Sequence, residues 1–223
     1  MSSRGASPVG AVRITGATLL EVDTPHGTAR AHLHLAARPR AALVLGHGAG
    51  GGVDSKDLVA VTEAARSEGM TVALVEQPYR VAGRRAPAPA RQLDAAWLAV
   101  VEHLRADALA RLPLVTGGRS LGARVACRTA EAAGAVGVLC LAFPLQAPRR
   151  SGKAPPQTRL PELDGVEVPA LVVQGERDPF GIPPAAARRT VVQVPGDHSL
   201  RADPEAVAAA VCAWLPRAVP AGG

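Results

Sequence analysis

The chain has 223 residues, 48% of them hydrophobic and 20% charged, a size and balance that suit one α/β domain whose core needs neither disulfide nor metal. Its net charge of +6 comes almost wholly from dispersed arginines, and the densest pairs, Arg84-Arg85, Arg149-Arg150 and Arg188-Arg189, lack the interleaved aromatics that stack bases, so a solvated surface is expected rather than a nucleic-acid partner. No apolar stretch follows a basic start, and the longest uncharged run, 132–148, is broken by glycines and a proline and falls short of the ~20 apolar residues that cross a bilayer; this argues for a cytoplasmic protein with no membrane partner.

In chain order, residues 1–10 are small and polar and read as a flexible start, and 12–37 as two antiparallel edge strands with His32 and His34 on one side and Leu33 and Leu35 on the other. From residue 41 short apolar runs alternate with longer amphipathic segments, the pattern of a parallel sheet covered by helices. Residues 41–45 predict a buried strand, 46–52 a glycine-rich turn, and 54–67 a helix with Leu58, Val61, Ala64 and Ala65 at helical spacing. Residues 70–75 predict the next strand, 77–89 a proline-rich connection, and 91–105 a helix with Leu93, Trp97, Val100, Val101 and Leu104 on its apolar face. A short strand over 114–116 meets Gly117-Gly118, and 121–133 reads as helix. There follow a strand at 136–143, a polar loop at 144–167, a strand at 170–174, a short helix at 182–188, a strand at 190–194 and a terminal helix at 204–215. Cys127, Cys140 and Cys212 are odd in number, without CxxC spacing or a paired histidine; they read as buried reduced thiols, and no metal site is expected.

The chemistry begins at Gly118-Arg119-Ser120-Leu121-Gly122, a G-x-S-x-G pentapeptide between a predicted strand and a predicted helix. The pentapeptide alone is equally a Gly-Ser loop starting an ordinary helix. A nucleophilic serine also needs a base, and the base an acceptor that fixes its tautomer. Asp178, in Gly175-Glu176-Arg177-Asp178-Pro179, and His198, in Gly196-Asp197-His198-Ser199, each follow a predicted strand. The order Ser, Asp, His is that of the α/β-hydrolases, and the ends of parallel strands are where open α/β sheets collect their sites. Glu176 is the rival acid.

After the first long strand comes His47-Gly48-Ala49-Gly50-Gly51-Gly52. A phosphate loop would need a Gly-Lys-Ser/Thr ending or a G-x-G-x-x-G lead into the helix, and both are missing. The glycines suit an oxyanion hole instead, with the N–H of Ala49 or Gly50 beside that of Leu121. His47 reads as a hydrogen-bonded structural residue of the loop. Tyr79 and Phe180 are candidate pocket walls, and each reads equally as packing at the edge of the core. Arg119, with Arg80 and Arg84, either meets an anionic group on the substrate or, in the case of Arg119, packs under the serine against a neighbouring carboxylate.

Together His47-Gly48-Ala49-Gly50-Gly51, Gly118-Arg119-Ser120-Leu121-Gly122-Ala123-Arg124, Phe143-Pro144-Leu145 and Gly196-Asp197-His198-Ser199 resemble the dienelactone-hydrolase-like α/β-hydrolases. More closely they resemble a branch of small cap-less proteins that includes a testis-expressed animal relative. The resemblance implies a mostly parallel sheet with helices on both faces and little or no cap, and Ser120, His198 and Asp178 as triad. Dienelactone hydrolases themselves use cysteine where Ser120 stands, so lactone chemistry is not carried over. The expected function is serine hydrolysis of a small ester or thioester, with no cofactor. The competing class, a non-catalytic hydrolase-fold scaffold, has no physical need for all three residues.

Overall fold

The computed structural model describes residues 16–147 and 157–219; the expected flexible start at 1–10 and the Arg149-Arg150 pair lie outside them. The apolar runs form one eight-stranded sheet: β1 (Thr18–Thr24), β2 (Gly27–His34), β3 (Ala41–Gly46), β4 (Met70–Glu76), β5 (Leu114–Arg119), β6 (Gly137–Leu141), β7 (Ala170–Gly175) and β8 (Arg189–Val194). Their order across the sheet is β1-β2-β4-β3-β5-β6-β7-β8. From β4 to β8 all neighbours are parallel, while β1 and β2 are antiparallel to each other and β2 is antiparallel to β4. Of the first two strands only β1 is therefore an edge, β8 being the other end of the sheet. The expectation of two edge strands is corrected at β2, which is paired on both sides, and Leu35 lies beyond its end and is exposed.

Strand periodicity sorts the core into two faces. Ala41, Leu43 and Leu45 of β3 pack with Leu58 and Val61 of α1 (Lys56–Ser67) and with Val207, Val211 and Trp214 of α6 (Pro204–Ala218). The intervening Ala42 and Val44 pack with Trp97, Val100 and Leu104 of α3 (Ala90–Ala106). A third cluster joins Ala123, Ala126 and Cys127 of α4 (Leu121–Thr129) to Phe143 and to Leu163 of α5 (Leu160–Asp164). Each buried Leu or Val side chain contributes about 1.5–3 kcal/mol relative to leaving it exposed, so alanine- and valine-rich strands suffice where large rings are few.

Four local expectations are revised. The 77–89 connection contains a short helix, α2 (Pro78–Val81), and the loop expected at 144–167 contains α5. Residues 182–188 are not helical: Pro183 and Pro184 supply no N–H donors and restrict the residue before each ring, and the segment closes on an isolated Ala186–Arg189 bridge. The strand expected at 114–116 runs on to Arg119. Cys127 and Cys140 are buried, their sulfurs 3.4 Å apart, and Cys212 is half-buried; the contact with Cys140 and then burial raise the Cys127 pKa, and burial raises that of Cys212. Among the described residues no helix is long and apolar enough to cross a membrane.

Candidate active site

Ser120 follows β5 directly and precedes α4, at φ 51° and ψ −104°, a combination that costs a non-glycine residue of order 1–3 kcal/mol. Two features hold it there. Its N–H donates to Leu141 O at 2.8 Å, and the flanking glycines let the chain turn under it: a Cβ on Gly118 or Gly122 would stand 2.5 or 2.3 Å from Gly46 O of β3. The motif glycines are thus a steric requirement of the crossing between α4 and β3.

The acid and the histidine arrive by a second close approach. A Cβ on Gly175, the last residue of β7, would lie 2.3 Å from Asp197 O in the loop after β8, so the two loops press together. Asp178 is buried, its side chain 0% exposed and that of His198 19%. His198 Nδ1 stands 2.7 Å from Asp178 Oδ2 and its Nε2 2.9 Å from Ser120 Oγ. A carboxylate only accepts, so Nδ1 carries the proton and the Nε2 lone pair faces the serine hydroxyl. Glu176 is exposed, its N–H on Val194 O.

Asp178 receives two further donors: Gln174 Nε2 reaches Oδ2 at 2.8 Å, and Phe180 N–H reaches Oδ1 at 2.9 Å. Gln174 is fully buried and also donates to Phe143 O and Gly181 O, both at 3.0 Å. Sequence reasoning missed it, although a glutamine closing the apolar strand Ala-Leu-Val-Val was a signal that something polar lay at that end. Phe180 sits edge-on to the imidazole with ring centroids 4.5 Å apart, so the residue expected as a pocket wall stands as a brace for the histidine ring.

The glycine loop after β3 approaches the serine from the other side. A Cβ on Gly48 would be 3.8 Å from Ser120 Cβ. Ala49 is half-buried and Gly50 exposed with open space beside its Cα, while Leu121 begins α4, where the first N–H groups have no intrahelical partner. His47 braces this loop. Gln77 N–H donates to its Nε2 at 3.1 Å, so the proton resides on Nδ1, 2.8 Å from Gly48 O. Burial pushes its pKa down, which keeps the ring neutral.

Tyr79 is buried, and its hydroxyl donates to Ala49 O at 3.1 Å; burial pushes its pKa up to about 12. It therefore supports the loop from behind, and the expectation of a substrate-facing wall is revised. A cleft of about 410 Å³ opens on Tyr79, lined also by Thr28, Gln77, Arg84 and Leu93 and by none of Ser120, Asp178 and His198. Arg119 is revised as well. Its Nε stands 2.9 Å from Asp57 Oδ2 of α1, the neighbouring-carboxylate alternative, so its charge is spent inside the protein. Asp57 carries no sequence signal for this.

A mostly parallel sheet with helices on both faces, a strained serine elbow after a central strand, and an acid and a histidine after the next strands define an α/β-hydrolase fold. Between β6 and β7 the only helix among the described residues is the short α5. The chain belongs to the α/β-hydrolase domain family, whose model matches residues 39–205. Its fold is similar to that of a Xanthomonas campestris α/β serine hydrolase without lid (TM-score 0.71, 21% identity, 96% of this chain and 100% of that one). It is similar also to Est1E from Butyrivibrio proteoclasticus (0.72, 16%, 91% and 99%) and to an α/β serine hydrolase homologue from Coxiella burnetii (0.72, 14%, 92% and 100%). No curated protein sequence matches the chain. Family and fold together support a hydrolase.

Proposed function

We propose that the protein is a serine hydrolase of small ester or thioester substrates, with Ser120 as nucleophile, His198 as base and Asp178 as the acid that orients it. The observation that carries this reading is the continuous line Ser120 Oγ, His198 Nε2, His198 Nδ1, Asp178 Oδ2 at 2.9 and 2.7 Å, set on a strained elbow. As Ser120 Oγ attacks the acyl carbon, its proton passes to His198 Nε2, and the buried carboxylate of Asp178 stabilises the imidazolium without taking the proton. The carbonyl oxygen becomes anionic and is met by the Leu121 N–H and by that of Ala49 or Gly50. His198 then returns the proton to the departing oxygen or sulfur, and a water, deprotonated by the same nitrogen, releases the acid and restores Ser120.

With the short α5 as the only helix between β6 and β7 among the described residues, small or exposed acyl groups are favoured over long lipids. Labelling with a fluorophosphonate, followed by a panel of short-chain esters and thioesters, tests the reading. Modification of Ser120, abolished in Ser120→Ala, with turnover of at least one substrate, is expected. A folded protein that neither labels at Ser120 nor hydrolyses any member of the panel returns the decision to the scaffold alternative.

A further inference from the structure

One guanidinium touches four segments of the site. Arg119 is the last residue of β5, and its side chain is 17% exposed. Nε stands 2.9 Å from Asp57 Oδ2, a carboxylate 1% exposed at the start of α1. Nη2 donates to the main-chain carbonyl of His198 at 3.1 Å. Nη1 lies against Gly48, where a Cβ would stand 2.7 Å from it. Serine elbow, histidine loop, glycine loop and α1 therefore meet at a single planar group.

We infer that Arg119, held by Asp57, is a positioning residue that sets the backbone of His198 and the glycine loop relative to Ser120; the inference rests on the hydrolase reading above. The His198 ring is fixed at Nδ1 by Asp178 and at Nε2 by Ser120, and these contacts set the ring only as well as the loop that carries it is set. A charge-assisted hydrogen bond to the His198 carbonyl supplies that constraint. The buried carboxylate is needed because a guanidinium withdrawn from water without a counter-charge is costly. The Nε contact with Asp57 is ionic, since the N–H does not point along a hydrogen-bond line to the oxygen; the carboxylate offsets the charge while the planar end reaches the two loops. Lysine cannot substitute, because its three donors radiate from a single nitrogen on a flexible stem and do not span the separate places that Nε, Nη1 and Nη2 occupy. The same geometry explains Gly48, the position of the glycine loop that the guanidinium leaves no room to decorate.

Displacing a reacting group by about 1 Å costs on the order of 10²-fold in rate. For the best short-chain ester of the wild-type protein, Arg119→Gln and Arg119→Lys are expected to lower kcat by about 10- to 100-fold with KM changed by less than about threefold. Asp57→Asn is expected to fall between them and wild type. Guanidinium ion added to Arg119→Ala is expected to restore part of the lost kcat. A second readout does not depend on turnover: in protein carrying ¹⁵N-histidine, the His198 Nδ1–H resonance is expected to shift or broaden in Arg119→Gln. Wild-type kcat in Arg119→Gln, full rescue by Arg119→Lys, or an unmoved resonance overturns the inference. Should the wild-type protein neither label nor turn over, it is the hydrolase reading that has failed, and the resonance alone then decides whether Arg119 positions the histidine. Should Arg119→Gln lose its cooperative melt, Arg119→Lys, which keeps a charge for Asp57, serves for the same measurements.

Discussion

The sharpest prediction concerns Asp178→Asn, because the surroundings of the carboxylate dictate how the amide must sit. Three donors converge on it: His198 Nδ1–H and Gln174 Nε2 on Oδ2, and Phe180 N–H on Oδ1. If the new NH2 replaced Oδ1, the Phe180 N–H would face a donor, and an unmet buried group costs about 1–3 kcal/mol. If it replaces Oδ2, Gln174 still has Phe143 O and Gly181 O, and His198 satisfies the amide by moving its proton to Nε2. The second arrangement is cheaper, and it is the one that disables catalysis, since an Nε2–H cannot accept the proton of Ser120. The corresponding change in the serine-protease triad costs about 10⁴ in kcat, or about 5.5 kcal/mol of transition-state stabilisation, and a loss of that order is expected here with the fold retained. Ester turnover by wild type and variant, together with ¹⁵N chemical shifts that report the tautomer, measures both parts. An Asn variant within tenfold of wild type, or one whose His198 remains protonated at Nδ1, would refute the reasoning. Glu176→Gln, an exposed change, is expected to leave turnover intact.

Ser120→Gly is expected to lose fluorophosphonate labelling as Ser120→Ala does, yet to melt higher than the alanine variant, because glycine accepts φ 51° without the strain of order 1 kcal/mol that Cβ imposes; equal melting points would argue against strain at the elbow. Gly175→Ala is expected to destabilise the protein and lower turnover together, since its Cβ would fall 2.3 Å from Asp197 O and force the loops apart; wild-type activity in this variant would count against loop contact as the source of the Asp178–His198 geometry. His47 and His34 have pKa values lowered chiefly by burial, so the unfolded chain binds protons that the folded one refuses. Their contribution is complete above the ordinary imidazole pKa and is lost as pH falls below about 6.5, at no more than ~1.4 kcal/mol per pH unit per histidine. Urea denaturation at pH 7.5 and 5.5 checks the sign, and greater stability at the lower pH would refute it.

Much of the sheet was legible because the buried parallel strands read as short apolar runs and the helices between them carry a 3.6-residue period. Where the reading slipped, tertiary context had replaced local preference. Gly117 and Gly118 looked like the end of a strand, yet β5 runs through them, for a Cβ at Gly117 would strike Leu139 O at 2.4 Å: here glycine marks close packing rather than a break. His32 and His34 read as one side of an edge hairpin with no indication of what covers it; His34 is buried and His32 is tied to Glu76 at 2.9 Å across a paired strand. In the site, Ser120, Asp178 and His198 stood out because each follows a strand within a short motif. Of the residues that brace them, Gln174 and Asp57 did not, and the role of Arg119 stayed open between two alternatives for a reason inherent in the elbow. Strand alternation assigns a side chain to a face only while the backbone stays extended, and Arg119 is the last residue before the chain turns at a positive φ. Its direction is set by where Asp57 and the His198 carbonyl lie, two groups brought there by α1 and by the loop after β8. An arginine beside a nucleophile is thus ambiguous in sequence between meeting a substrate anion and meeting a buried carboxylate, and only the packing of a distant helix distinguishes the two.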